Sequence, residues 1–325
     1  MLARSPTDIV IDTRTGRVEN ASGRERAAIG ALRGALLALE PIHTFGFSYV
    51  TRAVRKALPS GKTMLFLLGQ DSVMRTDFCD AYWSVFVRPG YPYERSIEAL
   101  VQSARDVDYG FIDGGANHGY WSIMVSGPAG GFKKAVAVEA ASDTFAHLDE
   151  NRVLNGERFT ALNKAIGARS GEHVRIFGHK HEARSTVQPS ADAKPILDCE
   201  TVSVDDLAAR PEFAGLDKFI VKLDVEGVEI PAFEGSTRLL SGDTAFVYEE
   251  HGSDRAHENT RHVLDKLGLR VFWLGEGTPR EILRADEVGP IKKSRRFGYD
   301  MVATKSPFWL ARFERMTATA PSARR

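Results

Sequence analysis

The sequence has little cysteine, no excess charge and no long apolar run, and each lack excludes a class of protein. Its 325 residues contain two cysteines, Cys79 and Cys199, too few for a disulfide framework, which favours the cytoplasm. Lys plus Arg and Asp plus Glu number 43 each, so no net field attracts nucleic acid or membrane, although local patches remain possible. No stretch reaches the ~18 apolar residues of a membrane span, and the N-terminus lacks a signal peptide's apolar core. We therefore expect a folded cytoplasmic protein with no nucleic-acid partner and no integral membrane segment.

The first part of the chain predicts a mainly helical N-terminal extension over residues 1–95. Ile29, Leu32, Leu36 and Leu39 have helical spacing, and Pro41 interrupts the pattern, which indicates two helices between residues 24 and 58. Short apolar runs at 64–68 and 82–87 predict a strand pair. Because the apolar positions need a partner surface, we expect the extension to cap the following domain or to mediate a homodimer.

From residue 96 to 310, short apolar segments alternate with helical stretches, which is typical of βαβ units in a parallel sheet. We predict a doubly wound, Rossmann-like α/β domain with helices on both faces, followed by a basic tail over residues 311–325. Residues 166–205 break the alternation and predict an insertion that overhangs the site, with extra strands at 174–177 and 200–204. The main strands are predicted at 109–113, 135–139, 160–165, 219–224, 245–250, 270–274 and 299–304.

A glycine-rich turn follows the first of these strands, with the sequence DGGANHGY at residues 113–120. Glycine in such a turn lets a ligand approach the backbone. Gly114, Ala116 and Gly119 give an imperfect dinucleotide fingerprint, which is a weak signal by itself. Asp113 strengthens the functional interpretation, because a carboxylate there can hold the ammonium and ribose side of an amino-acid nucleoside. A dinucleotide would instead need this space for its pyrophosphate.

Carboxylates also follow the next strands along the chain. Glu139 ends the second strand, where an acid accepts both ribose hydroxyls of a nucleoside in NAD enzymes and methyltransferases alike. The sequence FIVKLDVEGVE at 219–229 brings three acids to the end of one strand, and YEEH at 248–251 ends another. Acids so close together disfavour each other's ionisation unless a cation or hydrogen bonds compensate. The pattern therefore favours a functional site at this edge of the sheet.

Together these segments resemble the FkbM family of S-adenosylmethionine-dependent methyltransferases over about residues 90–305. Residues 113–120 resemble its D-x-G-A-N-x-G-[YF] turn, and residues 222–229 fit its K-x-D-x-E-G-x-E signature. Glu139 matches its ribose-binding acid, and residues 201–207 resemble its T-x-D-x-L stretch. The resemblance implies S-adenosylmethionine as cofactor and O-methylation of saccharides, such as glycans or glycolipids, or of secondary metabolites. Cofactor contacts are predicted at Asp113, Gly115, Ala116, Asn117, Gly119, Tyr120, Glu139, Ala140, Ala165 and Asp224.

For a hydroxyl acceptor, methyl transfer needs alignment and a base that takes the hydroxyl proton. We expect His251, or an acid among Asp224, Glu226 and Glu250, to be that base, and favour histidine because imidazole titrates near neutral pH. Asp224 and Glu226 are also expected to orient the acceptor and the donor. No resident metal is predicted. In an alternative mechanism the carboxylates hold Mg²⁺, which acidifies the acceptor hydroxyl.

Two other classes of protein fit the sequence less well. A nicotinamide oxidoreductase predicts a middle glycine where this turn has Ala116 and Asn117. A binding module without activity would lose the polar site residues. The basic run at 291–296 is interpreted as a solvated loop. His179 and His181 lack a second pair at metal-ligand spacing and are interpreted as loop residues.

Overall fold

Eight of the strands form a central sheet in the computed structural model, which describes residues 5–69, 71–178, 195, 197–275, 278–295 and 297–319. Its order is β7-β6-β5-β11-β12-β15-β13-β14. The strands within these residues are β1 Asp8–Asp12, β2 Val18–Glu19, β3 Thr63–Leu67, β4 Val73–Asp77, β5 Gly110–Gly114, β6 Lys134–Val138, β7 Thr160–Leu162, β8 Ala165–Ile166, β9 His173–Ile176, β10 Leu197–Val202, β11 Lys218–Leu223, β12 Asp243–His251, β13 Arg270–Trp273, β14 Arg280–Ile282 and β15 Gly298–Thr304.

Helices connect most of these strands. Short 3₁₀ helices occur at Glu40–Ile42, Trp83–Val87, Pro211–Phe213, Leu239–Ser241 and Ala285–Ile291. The α-helices are α1 Gly23–Leu39, α2 Phe47–Ala57, α3 Arg95–Ser103, α4 Tyr120–Ser126, α5 Ser142–Leu154, α6 Val204–Ala208, α7 Glu229–Glu234, α8 Glu258–Asp265 and α9 Pro307–Thr319.

The strand order places the functional edge of the central sheet. From β5 the chain runs outward through β6 to β7, and it returns to the other side of β5 as β11 and then β12, all in parallel pairing. The carboxyl ends of β5 and β11 therefore lie at the point where the strand order reverses, where open α/β sheets bind ligands. β15 enters antiparallel beside β12, and β13 and β14 follow with antiparallel pairing. This is the predicted doubly wound, Rossmann-like fold.

Alternating side chains of the central strands build a core on each face of the sheet. In β11, Phe219, Val221 and Leu223 join one apolar cluster, whereas Ile220 joins the other. This is the period of two that a strand covered on both faces requires. The sequence between the two ends of β11 is accordingly apolar at nearly every position, which is why the strand could be predicted from the sequence alone.

The N-terminal region forms the predicted helices α1 and α2, and it also forms a sheet of order β2-β1-β3-β4. The strand predicted at 64–68 is confirmed as β3, but the prediction of a strand at 82–87 is wrong. A 3₁₀ helix replaces it, because the Asp80 carboxylate accepts hydrogen bonds from the backbone N–H groups of Tyr82 and Trp83 and turns the chain. Ile9 of β1 shares one continuous core with Phe111 of β5, so the region packs on the central sheet.

The predicted segments of the central sheet each contain a strand, with one subdivision. Residues 160–165 divide into β7 and β8, because the chain turns at Asn163, whose side-chain amide donates to the backbone oxygens of Glu139 and Ala140. The insertion contains β9 and β10, which form a small sheet of order β8-β10-β9. His179 and His181 lie outside the described residues.

The last described helix begins before the predicted tail. Helix α9 buries Trp309 and Phe313 against the core, so residue 311, where the tail was predicted to begin, lies within the helix. Arg312 on the same helix pairs with Asp106. Among the described residues, no helix has both the length and the apolar character needed to cross a membrane.

Candidate active site

A pocket lies beside the glycine turn at the carboxyl ends of β5, β6 and β11, and we call it the turn pocket. Most residues predicted to contact the cofactor line it: Asp113, Gly115, Ala116, Asn117, Tyr120, Glu139, Ala140, Ala165 and Asp224. Ile176 of the insertion also lines it, as does Trp83 of the N-terminal region. The strand ends thus assemble the predicted residues, and segments on either side complete the walls.

Gly115 and Gly119 of the turn serve different purposes. Gly115 has a φ of +70°, and a Cβ there would lie 1.8 Å from the backbone oxygen of Asp224. The turn therefore passes directly over the end of β11, which only glycine allows. Gly119 precedes α4, and a Cβ there would lie 2.6 Å from Leu148 Cδ1 of α5. Gly119 is not among the residues that line the turn pocket, and what the structure shows for it is helix packing.

The Asp113 carboxylate is buried and only partly satisfied. Its Oδ2 accepts from the Ser122 backbone N–H at 3.1 Å and from the Ser122 hydroxyl at 2.7 Å. Its Oδ1 is buried and has no hydrogen-bond partner among the described residues. Burial raises the pKa of Asp113, against the opposing effect of Lys222. A buried polar atom without a partner calls for an explanation, and a ligand that donates a hydrogen bond supplies one.

Backbone groups hold Glu139 at the opposite wall of the turn pocket. Its Oε2 accepts from the Asn117 N–H, and its Oε1 accepts from the Ala141 N–H, each at 3.0 Å. Each carboxylate oxygen has a second lone pair that can accept a further hydrogen bond. These two bonds fix the orientation of the Glu139 carboxylate at the wall of the turn pocket.

Lys222 places a positive charge between the acids of the two strands. The side chain is buried, and its Nζ donates to Asp224 Oδ2 at 3.0 Å. Burial by itself would lower the pKa of Lys222, but the charges of Asp224, Asp113 and Glu94 outweigh it and raise the pKa. Lys222 is thus the buried cation that offsets the repulsion predicted for this cluster.

A second cavity of about 490 Å³ adjoins the turn pocket, and we call it the acid cavity. Tyr82, Tyr93, Asp224 and Glu226 line both spaces, so the two meet at the end of β11. Five carboxylates face the acid cavity, together with His251 and Phe297. The carboxylates are those of Glu94, Asp224, Glu226, Glu249 and Asp300.

Burial and mutual repulsion govern the charge state of these acids. Burial, followed by the charges of Asp224 and Glu226, raises the pKa of Glu249 well above its ordinary value. Burial and the charge of Glu94 do the same to the pKa of Asp300. Positive charge inside the acid cavity would relieve this repulsion.

His251 and Glu249 form a pair at the wall of the acid cavity. His251 Nδ1 lies 3.4 Å from Glu249 Oε2. Gly298 of β15 makes room for this carboxylate, since a Cβ there would lie 1.4 Å from Glu249 Oε1. One ligand atom each of Glu226, Glu249 and His251 lies within 4.8 Å of the others, so the three could also hold a metal ion.

The structure corrects the assignment of Glu250 as a candidate base. Successive side chains of a strand point to opposite faces, so Glu249 faces the cavity and Glu250 is fully buried on the other side. Glu250 Oε2 accepts from the backbone N–H and the hydroxyl of Thr260, and Lys292 Nζ lies 3.2 Å from Oε1. Lys292, predicted to be in a solvated loop, is a buried partner of this acid. Glu250 therefore has a structural role.

Sequence reasoning missed several residues of the two pockets, and Trp83, Glu94 and Asp300 among them come from segments distant from the motifs. Trp83 donates through Nε1 to Asn117 Oδ1 at 3.0 Å, and Trp121 Nε1 donates to Glu94. The aromatic residues concentrated between positions 82 and 93 were an available signal. The sequence around Asp300 contains no such signal, because Asp300 reaches the cavity only through the antiparallel register that sets it opposite Glu249.

Comparisons with known proteins found one family model and several solved structures that resemble parts of this chain. Residues 113–271, just under half of the chain, match the model of the methyltransferase FkbM domain. A search of curated proteins gave no significant match. Similar solved structures include a methyltransferase FkbM from Methylobacillus flagellatus KT, with 14% identity and a TM-score of 0.39 over 60% of this chain and 43% of that chain. They also include an O-methyltransferase from Bacillus cereus in complex with SAH, with 10% identity and a TM-score of 0.35 over 67% of this chain and 84% of that chain. This chain thus covers less than half of the Methylobacillus protein.

Proposed function

We propose that this chain, whose residues 113–271 match the model of the methyltransferase FkbM domain, is an S-adenosylmethionine-dependent O-methyltransferase of that family. We propose as acceptor a hydroxyl of a saccharide, such as a glycan or glycolipid, or of a secondary metabolite. One observation carries the proposal: a pocket with the acids for an amino-acid nucleoside shares lining residues with a cavity that contains a histidine–carboxylate pair.

The residues of the turn pocket fit S-adenosylmethionine. Glu139 can accept from the two ribose hydroxyls, and Asp113 Oδ1 is a buried acceptor that lacks a partner among the described residues. Asp224, at the junction of the two spaces, can accept from the ammonium group. When bound, the cofactor supplies an electrophilic methyl group to the acceptor.

His251 is the proposed proton acceptor for the hydroxyl. Its Nδ1 faces Glu249, which leaves Nε2 to take the proton and lets the carboxylate orient the ring. The imidazolium formed in this way lies among carboxylates whose repulsion it reduces. Asp224 and Glu226 orient the acceptor from the end of β11. Glu249, and not the candidate base Glu250, is the acid of this strand end that faces the cavity.

Two measurements on the purified chain test the proposal. Calorimetry should detect binding of S-adenosylmethionine or its demethylated product and no binding of NAD. Incubation with labelled methyl donor and fractions of host glycans and lipids should place the label on an oxygen, as read by mass spectrometry of the product. Binding of NAD in place of the methyl donor would contradict the cofactor, and label on nitrogen or carbon would contradict O-methylation.

A metal-assisted form of the same reaction is the second candidate, favoured by the spacing of Glu226, Glu249 and His251. A divalent cation there would lower the pKa of the acceptor hydroxyl and replace a protein base. Methyl transfer measured after treatment with EDTA, and again after addition of Mg²⁺ or Mn²⁺, separates the two forms. Unchanged turnover in EDTA excludes the metal.

For residues 1–95 we propose the capping role, because Tyr82, Trp83 and Tyr93 supply walls of both pockets. The methyltransferase domain then spans residues 96–310. The two cysteines are free and buried, which supports the proposed cytoplasmic location. A chain that begins at Pro59 lacks β1, β2, α1 and α2, and α1 shares one core with Trp83, so this chain should lose thermal stability and methyl transfer. Full retention of both would contradict the cap.

A further inference from the structure

Large apolar side chains are concentrated at the junction of α1 and α2, in the N-terminal region. Leu37, Ile42, Phe45 and Tyr49 are 59%, 51%, 42% and 66% exposed. They are four of the eight large exposed hydrophobic residues among the described residues, and they fall within one short segment. Single exposed hydrophobic residues are ordinary, whereas a cluster of them marks an interaction surface. We call these four residues the junction patch.

Helix α2 extends the junction patch with positive charge. Its inner face buries Phe47 and Thr51, and its outer face presents Tyr49, Arg52 and Lys56 at helical spacing. Arg52 and Lys56 are exposed and form no ion pair with any described residue. The outer face of α2 therefore adds two basic side chains to the exposed apolar side chains of the junction patch, and apolar area together with basic charge strengthens binding to an anionic lipid surface.

The charge of this surface distinguishes two possible occupants. The nearby acids are already paired, Glu40 with Arg88 and Asp77 with Arg55. If a second copy of the chain packed on the patch, Arg52 and Lys56 would enter the interface. Glu40 and Asp77 would not neutralise them there, because both acids are already paired with arginines. An anionic lipid surface offers both the negative charge and the apolar boundary, and contributes about 1 kcal/mol per basic residue near it.

The junction patch lies next to the wall of the acid cavity. The rings of His43 and Phe297 meet edge to face with centroids 6.5 Å apart, and Phe297 lines the cavity together with Arg295. Phe297 and Arg295 are themselves exposed. A lipid surface bound by the junction patch would therefore lie close to the wall of the acid cavity, where an acceptor would enter.

We propose that the junction patch docks the chain on an anionic phospholipid surface, so that the acid cavity receives an acceptor carried on a lipid. The apolar side chains enter the boundary between headgroups and acyl chains, and the basic side chains of α2 bind the lipid phosphates. The docking stands on the patch alone, and the lipid-linked acceptor rests on the proposed methyltransferase function.

Sedimentation with vesicles tests the docking. The intact chain should bind vesicles that contain phosphatidylglycerol more strongly than vesicles of phosphatidylcholine alone, and added salt should weaken the binding. The double variant Ile42→Glu/Phe45→Glu should bind at least about ten-fold more weakly, since it removes apolar contacts and adds charge repulsion. Arg52→Glu/Lys56→Glu should lose the preference for anionic vesicles. The matched control is Phe132→Glu/Leu283→Glu, which changes two hydrophobic residues that are 65% and 69% exposed elsewhere, and it should bind as the original chain does.

Further measurements separate the possible failures. Melting temperature and calorimetric binding of S-adenosylmethionine should be the same in all variants, because none of these residues contacts the turn pocket. If the unmodified chain does not bind S-adenosylmethionine, the proposed function is contradicted. The docking is still tested by the vesicle measurements. Equal binding of all variants to vesicles, or none by the unmodified chain, would overturn the docking. A dimer in light scattering that Phe45→Glu dissociates would also overturn it and assign the patch to self-association.

Discussion

The turn pocket and the acid cavity meet at Asp224 and Glu226, yet their polar groups are held in different ways. In the turn pocket, backbone N–H groups fix Glu139, and the turn itself lies against the end of β11. In the acid cavity, carboxylates from separate segments are crowded together with raised pKa values. The first arrangement is built to bind one ligand in one place. The second stores electrostatic repulsion that a proton or a cation can relieve, which suits a site where charge changes during a reaction.

His251→Ala should have the largest effect, and it should be confined to the acid cavity. We expect kcat to fall by about 10²–10⁴-fold, the usual contribution of a general base, with unchanged affinity for the methyl donor. The acid limb of the pH profile of kcat should also disappear, because a base must be unprotonated to act. Steady-state kinetics and calorimetry check this, with the exposed His173→Ala as the control. Near-normal kcat at all pH values would mean that His251 is structural.

Lys222→Met should destabilise the turn pocket and the acid cavity together. The positive charge of Lys222 offsets the negative charges of Asp113, Asp224 and Glu94. Removing one partner from a buried charge cluster typically costs about 3–5 kcal/mol. We expect the free energy of unfolding in urea to fall by that amount. Lys218 lies on the same strand and pairs with the exposed Asp217. Lys218→Met should therefore change the free energy of unfolding little. Equal losses in the two variants would show that Lys222 does not hold the cluster together.

Asp113→Asn and Glu139→Gln should affect only the turn pocket. Each replaces a charged acceptor with a neutral one of the same shape, and should weaken binding of the methyl donor by about 1–3 kcal/mol, or about 5- to 150-fold. The value of kcat at saturating donor should change less than the affinity does. Calorimetry measures the effect against Asp265→Asn, an exposed acid on α8. Unchanged affinity in both variants would contradict the cofactor assignment.

Asp300→Asn should have the smallest effect and the opposite sign on stability. The folded pKa of Asp300 is raised, so the folded state retains a proton that the unfolded chain releases near pH 3.9, and stability declines as the pH rises from there through the folded pKa. The asparagine variant lacks this decline. We expect it to match the original chain at low pH and to be more stable at neutral pH by on the order of 1 kcal/mol. Thermal melts at both pH values check the sign, and a destabilised variant at neutral pH would mean that the carboxylate has a stabilising partner.

The two spaces also differ in how much of them the sequence predicts. Asp113 and Glu139 could be assigned because each ends an apolar strand, and parallel strands bring their carboxyl ends to one edge. In the acid cavity only Asp224, Glu226 and His251 were found. Glu250 was chosen over Glu249 because a strand pattern does not tell which face points to the cavity when both faces are buried.

The sequence by itself determined the central strands, the glycine turn and the resemblance to the FkbM family, since these depend on local periodicity and on residues adjacent along the chain. Tertiary structure decided the rest. The antiparallel register of β12 and β15 set Asp300 opposite Glu249, and packing of the N-terminal region placed Tyr82, Trp83 and Tyr93 over the sheet edge. Neither is encoded by local spacing, because each arises from contacts between segments far apart in the chain whose positions depend on how whole layers bury their apolar faces.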